Sequence, residues 1–68
     1  MDIQLQEKQL RKTNGQMTEA IQAKIDELFT HGGGRLTFTA GTYQTGALFL
    51  KSNVELHLMS GARLVFSD

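Results

Sequence analysis

The sequence contains no cysteine, no proline and no tryptophan, and its 68 residues include one tyrosine and four phenylalanines. Without thiols there are no disulfides, no thiolate chemistry and no cysteine-bearing zinc sites, which leaves His31 and His57 as the soft metal ligands. Seven basic residues balance seven acidic ones, and a formal net charge of zero gives no electrostatic footprint for nucleic acid or for an anionic membrane surface. Long apolar runs are missing too. The opening Met1-Asp2-Ile3-Gln4-Leu5-Gln6-Glu7 has no basic leader and no hydrophobic stretch, so neither a signal peptide nor a transmembrane helix is expected there, and the compartment is left open. Length excludes a two-domain enzyme. A chain of this size buries only about 60% of its unfolded surface and usually recruits disulfides, metals or partners, the first of which are closed to it.

What is present falls into three blocks. Residues 1–16 are polar and rich in Gln, Lys and Arg, an arm in which the Ile3/Leu5 alternation suits a short edge strand and Gln6 to Lys12 suits a helical turn. Asn14-Gly15 closes the block as a turn. From about residue 17 to 30, Met17, Ala20, Ile21, Lys24, Ile25, Leu28 and Phe29 recur at steps of three and four, which predicts one amphipathic helix. Asn14 or Thr18 is placed to cap its start, and His31-Gly32-Gly33-Gly34 to end it.

From Arg35 onward the period changes to two. Leu36, Phe38, Leu48, Leu50, Val54, Leu56, Leu58, Leu64 and Phe66 share the even phase with Ala40 and Ala62, while Arg35, Thr37, Thr39, Lys51, Glu55, His57 and Arg63 alternate with them. Four short strands are expected, separated by connections at 40–46, 51–53 and 59–61 that lack the Asn-Gly or Asp-Gly pair of a tight hairpin. One inward phase carried through three corners suits a coil of β-strands. Gly46-Ala47-Leu48-Phe49-Leu50 and Gly61-Ala62-Arg63-Leu64-Val65-Phe66 look like a weak repeat at a spacing of fifteen.

These residues also carry a family pattern. Thr18-Glu19-Ala20-Ile21-Gln22-Ala23-Lys24-Ile25-Asp26, Gly32-Gly33-Gly34-Arg35, the run from Ala40-Gly41-Thr42-Tyr43 through Leu50-Lys51-Ser52-Asn53-Val54 to Leu56-His57-Leu58, and Gly61-Ala62-Arg63-Leu64 resemble the N-terminal end of glycoside hydrolase family 28, the polygalacturonase-like enzymes. The resemblance runs from Thr18 to Asp68. It implies a mostly β fold with one α-helix: a cap helix, then the first rungs of a right-handed parallel β-helix of the pectin-lyase type. It also implies a parent enzyme that hydrolyses α-linked galacturonate or related residues in pectin with inversion, using a pair or trio of aspartates and no obligatory cofactor. The first block lacks the Phe-Gly-Ala type strand that commonly opens the family. The family's mid-helix set of clustered aspartates with His-Gly and Arg-x-Lys patterns is not found in this chain, so no residue here takes a catalytic role by resemblance.

Each candidate site has a structural reading beside it. Inverting glycoside hydrolysis needs two carboxyls roughly 6.5–9.5 Å apart with a water between them. The acids are Asp2, Glu7, Glu19, Asp26, Glu27, Glu55 and Asp68. Glu19 and Asp26 share a helix face but stand about 10.5 Å apart along its axis, as solvated surface charges do. Glu55 and His57 point to one face of a strand, two ligands where a metal wants three or four, and read as an outward polar ladder. His31-Gly32-Gly33-Gly34 looks like an esterase oxyanion loop, yet the Gly-x-Ser-x-Gly elbow is absent and the glycines follow a helix, so termination and corner-turning explain them. His31 would then face the negative end of the helix dipole. Phe49 and Val65, with Met59 and Ala47, break the outward polar face and read, in a complete β-helix, as residues packed under a loop or part of a cleft, and in this segment as a sticky patch. Phe29 and Tyr43 read as core or corner residues and not as sugar platforms.

The reading is therefore an N-terminal structural segment of a polygalacturonase-like hydrolase, comprising the polar arm 1–16 and a fragment 17–68 of a larger domain. By itself the chain is expected to be inactive, with no catalytic, cofactor-binding or metal residue. Its expected partners are the rest of the parent's β-helix, a polysaccharide bound by the parent, and another copy at the open end. The alternatives are a non-enzymatic β-helix module that binds polysaccharide, such as an adhesin or tail protein, and a self-associating small β domain.

Overall fold

A computed structural model describes residues 1–12 and 15–66. The chain runs through strand β1 (Asp2–Leu5), a single 3₁₀ turn (Glu7–Gln9), helix α1 (Thr18–Thr30), and strands β2 (Gly34–Phe38), β3 (Gly41–Thr45), β4 (Val54–Leu58) and β5 (Ala62–Phe66). The protein is thus mostly strands with one helix. Both alternatives for the opening arm apply, to successive pieces of it.

Helix α1 buries Ile21, Ile25 and Leu28, and Met17 just before it is buried as well. This stripe is narrower than the sequence suggested. Phe29, expected in the core, is 48% exposed, because its position one residue past Leu28 swings it about 100° off the Ile21–Ile25–Leu28 line. Thr18 does not cap the helix. Its hydroxyl accepts from the Gly46 amide at 2.6 Å and from the Thr45 hydroxyl at 3.2 Å, so it holds the end of β3 instead. Asn14, the other proposed cap, lies outside the described residues, as does Asp68.

Among the described strands every pairing is parallel, in two small sheets with the orders β1-β2-β4 and β3-β5. The chain visits them alternately: β2 in the first, β3 in the second, then back to β4 and on to β5. Gly34 aligns with Val54, twenty residues on, and Gly41 with Ala62, twenty-one on. The corners stack at the same intervals. A Cβ on Gly33 would strike Asn53, and one on Gly61 would stand 3.2 Å from the Cβ of Ala40. The structural repeat is therefore twenty to twenty-one residues, and the fifteen-residue spacing read from Gly46 and Gly61 is a coincidence of glycine-led segments.

Two further expectations change. The segment 40–46, read as a connection, contains β3, whereas 47–50, read as a strand, forms none. The reason lies in phase. Tyr43 and Thr45 are the buried residues of β3, so the inward side is odd there and even in β2, β4 and β5. The inward phase changes at the two-residue corner Thr39-Ala40, and the register absorbs the change because the matching corner, 59–61, has one residue more and so pairs Tyr43 with Leu64. Leu50, assigned inward by its even number, is 64% exposed, while Leu48 packs on the core.

The core comprises Leu5, Met17, Ile21, Ile25, Leu28, Leu36, Phe38 and Tyr43. Phe38 and Tyr43 meet edge to face with ring centroids 5.1 Å apart. The Tyr43 hydroxyl donates to the Thr39 carbonyl at 2.7 Å, and the Thr39 hydroxyl donates to Leu5 O at 2.7 Å, so the corner is tied to β1.

Candidate functional site

The residues singled out by the sequence are distributed over three surfaces. On the outer face of the first sheet, the register sets Asp2, Arg35 and Glu55 in one row and Gln4, Thr37 and His57 in the next. The Arg35 Nε lies 3.5 Å from the Glu55 carboxylate. A shallow concavity of about 560 Å³ opens beside it, lined by Asp2, Gly34, Arg35, Asn53, Val54 and Glu55. Glu55 is thus engaged by a guanidinium, and its partnership is with the neighbouring strand and not with His57. This is the ladder expected of outward polar residues.

On the flank of α1, Gln22 organises the surroundings of Asp26 and Phe49. Its side-chain amide donates to the Phe49 carbonyl at 3.0 Å while its Oε1 accepts from the Phe49 amide at 2.8 Å, the pairing that a backbone strand would make. The same Nε2 donates to Asp26 Oδ1 at 3.1 Å, and Lys51 Nζ stands 3.3 Å from that oxygen. Asp26 is held below its ordinary carboxylate value, chiefly by the Gln22 hydrogen bond; desolvation opposes this, and Lys51 adds to the lowering through a hydrogen bond and its charge. Lys51 also lies 5.2 Å from the centre of the Phe29 ring, a cation over an aromatic face. Glu19 lines the same depression as Asp26, near Phe49. Phe49 is 73% exposed, and Val65 and Met59 are exposed too.

At the end of α1, His31 accounts for itself locally. Its backbone amide reaches the carbonyls of Glu27 and Leu28, and its Nδ1 is 2.9 Å from Glu27 O, which satisfies carbonyls that the helix end leaves open. Gly33 and Gly34 follow with φ of 108° and 149°. The Gly34 amide donates to Asn53 O at 2.8 Å and the Arg35 amide to Met1 O at 3.0 Å, and a Cβ on Gly34 would collide with that Met1 carbonyl. The glycines are the passage between two neighbouring stretches of backbone, and no amide pair is left aimed at an oxyanion.

Among the described residues no group of three or more His, Asp or Glu side chains could hold a metal ion. No helix there is long and apolar enough to cross a membrane. Sequence reasoning missed Gln22 and the Tyr43–Thr39–Leu5 knot. The alternation of Tyr43 and Thr45 with Thr42 and Gln44 was the available signal for the knot's strand; nothing in the sequence marked Gln22.

Comparison with known proteins finds a relative in an exo-poly-alpha-D-galacturonosidase of Dickeya chrysanthemi. It is 49% identical over 51 residues, which are 75% of this chain and 8% of that protein. The chain thus spans less than a tenth of its relative's length. No protein-family description matches it, and no solved structure does. The likeness supports a polygalacturonase-related segment.

Proposed function

We propose that this chain is the opening structural segment of a pectin-degrading, polygalacturonase-like glycoside hydrolase, supplying the cap helix and the first coils of a right-handed parallel β-helix. The identity to the galacturonosidase over 51 residues carries the reading. Two features of the fold support it. Strands alternate between two parallel sheets at an interval of twenty to twenty-one residues, as successive turns of one coil would. Helix α1 packs against β1 to β4, most extensively against β2, which suits a cap at one end.

In this reading the segment performs no chemistry. Its carboxylates are held in surface contacts, Glu55 by Arg35 and Asp26 by Gln22 and Lys51. The substrate and the catalytic carboxyls belong to the rest of the parent enzyme. Its task is to close the apolar column and set the register for what stacks on it.

A graft tests this. Residues 18–66 replace the matching stretch of the Dickeya galacturonosidase, and galacturonate release from polygalacturonate is measured. The chimera is expected to fold and to keep activity within about tenfold of the parent, since a remote 1.4 kcal/mol disturbance is a tenfold effect. A soluble, folded chimera without activity would overturn the assignment, as would reducing-sugar release by the purified 68-residue chain alone.

A further inference from the structure

One pairing of a carboxylate with an aromatic ring on the flank of α1 already holds a cation. Lys51 Nζ stands 3.3 Å from Asp26 Oδ1 and 5.2 Å from the centre of the Phe29 ring. About two turns back along the same helix the same two kinds of group recur in different residues. Glu19 and Phe49 line one groove of about 330 Å³, with Ala23 and Ala47 among its walls. No lysine or arginine of the chain is engaged there: among the described residues the exposed Glu19 side chain makes no hydrogen bond or ion pair.

The ring of Phe49 is presented from a fixed backbone. Its amide and carbonyl both bond to the Gln22 side chain, while the residue stays 73% exposed. Asp26, the second acid of the groove, is taken up by Gln22 and Lys51, which leaves Glu19 as the uncompensated charge. One free carboxylate, one aromatic face and small apolar walls match the side chain of arginine. Its guanidinium forks onto a carboxylate and stacks on a ring, and its aliphatic stem lies along apolar surface. A lysine ammonium has neither the fork nor the plane, and a galacturonate chain would bring like charge toward Glu19.

The groove is also set apart from the stacking direction of the strands. Helix α1 runs beside 46–51, with Thr18 at Gly46, Gln22 at Phe49 and Asp26 at Lys51. A further coil, in the galacturonosidase reading, would stack on the sides of β4 and β5 that face away from β2 and β3. The groove opens between the helix and the loop that leaves β3.

We propose that the groove between α1 and residues 46–49 docks an arginine side chain of a protein segment, with Glu19 receiving the guanidinium and Phe49 stacking on it. The proposal goes beyond the galacturonosidase reading and does not depend on it.

Acetyl-Gly-Arg-Gly-amide, whose single charge is the guanidinium, is titrated into the isotope-labelled chain and followed by amide NMR. Acetyl-Gly-citrulline-Gly-amide serves as the uncharged isostere and trigalacturonate as the acidic sugar. Saturable shifts are expected at the amides of Ala23, Ala47 and Phe49 with the arginine peptide and not with the other two. Glu19→Gln and Phe49→Leu are each expected to weaken binding about fivefold, as loss of an exposed ion pair or cation–π contact does. Asp2→Asn, on the outer face of the first sheet, should leave it unchanged. Circular dichroism checks the helix in each variant, and the two tested side chains are exposed. Absent saturation with the arginine peptide, equal binding of the citrulline peptide, shifts indifferent to E19Q, or tighter binding of trigalacturonate would each overturn the proposal. So would loss of the helix in both variants, which would make the two side chains structural, or shifts at these amides with protein concentration alone, which would put a second copy in the groove.

Discussion

The first and second turns of strand occupy matching positions in the register and have very different surroundings. Phe38 is fully buried, and Leu58, its ladder partner, is 41% exposed; Thr45 is fully buried, and its partner Phe66 is 59% exposed. The inward pattern is the same in both turns. What differs is the layer on the far side. The first turn has α1 and β1 over it and β4 with β5 beneath it, whereas β4 and β5 each have a strand along one side only among the described residues. Fully burying a Leu or Phe side chain is worth about 1.5–3 kcal/mol, so Leu58 and Phe66 leave much of that unrealised. An alternating strand shows which side chains face inward; burial also requires something stacked above.

The most direct way to break this comparison is to cut stacked partners one at a time. Tyr43→Ala removes a buried ring, its edge-to-face contact with Phe38 and its hydrogen bond to Thr39 O, and is expected to cost about 3–5 kcal/mol. Leu64→Ala, directly beside it in the ladder but half-buried, is expected to cost about 1–2 kcal/mol. Urea unfolding followed by circular dichroism gives both values, and equal losses would mean that the second turn is as well packed as the first. Next in size is Gly34→Ala. A methyl there meets the Met1 carbonyl at a φ that L residues rarely adopt, which should detach β1 and cost about 2–4 kcal/mol. Gly15→Ala, at positive φ but in open space, should cost about 1 kcal/mol.

Much of the covered turn was legible because its signals are local. The helical steps of Ile21, Ile25 and Leu28 and the Leu36/Phe38 alternation each follow from one element's own geometry. The glycine triplet likewise announced the helix end that His31 and Gly33 make. β3 was hidden for a non-local reason: the corner at Thr39-Ala40 shifts the phase by one, and only the pairing of Tyr43 with Leu64 shows that both face inward. Phe29, Leu50 and Phe49 were misjudged or left undecided because whether an apolar side chain is covered depends on neighbours from other elements. Of the surface sites, the Glu55 ladder was readable from strand alternation. Gln22 was not, since a helical glutamine looks like any solvated residue until a loop backbone arrives to meet it.

That glutamine is where the comparison can be sharpened, for it joins the two regions. Gln22 sits on the helix that covers the first turn and grips Phe49, on the segment leading to the second. Gln22→Ala is expected to cost about 1 kcal/mol through the loss of two exposed hydrogen bonds with Phe49 and a part-buried one to Asp26. Amide hydrogen exchange should show the loss concentrated around Phe49 and leave the amides of β2 unchanged. Faster exchange throughout β2 would mean that the two regions unfold as one.

The smallest expected effect is the pH dependence of the same strap. Asp26 is held below the usual carboxylate value in the folded chain, so its contribution to stability is complete above the unfolded value of about 4 and is lost as pH falls through the lower, folded one. Stability should therefore decline over that acidic window, and Asp26→Asn should flatten this part of the profile. The site is open to solvent, so salt screens the Lys51 share while the Gln22 hydrogen bond, the larger cause, persists. An NMR titration of the Asp26 carboxyl should consequently move further toward the ordinary value in Gln22→Ala than in Lys51→Met. The opposite ranking would make the link between helix and second turn an ion pair, and its strength would then fall with added salt.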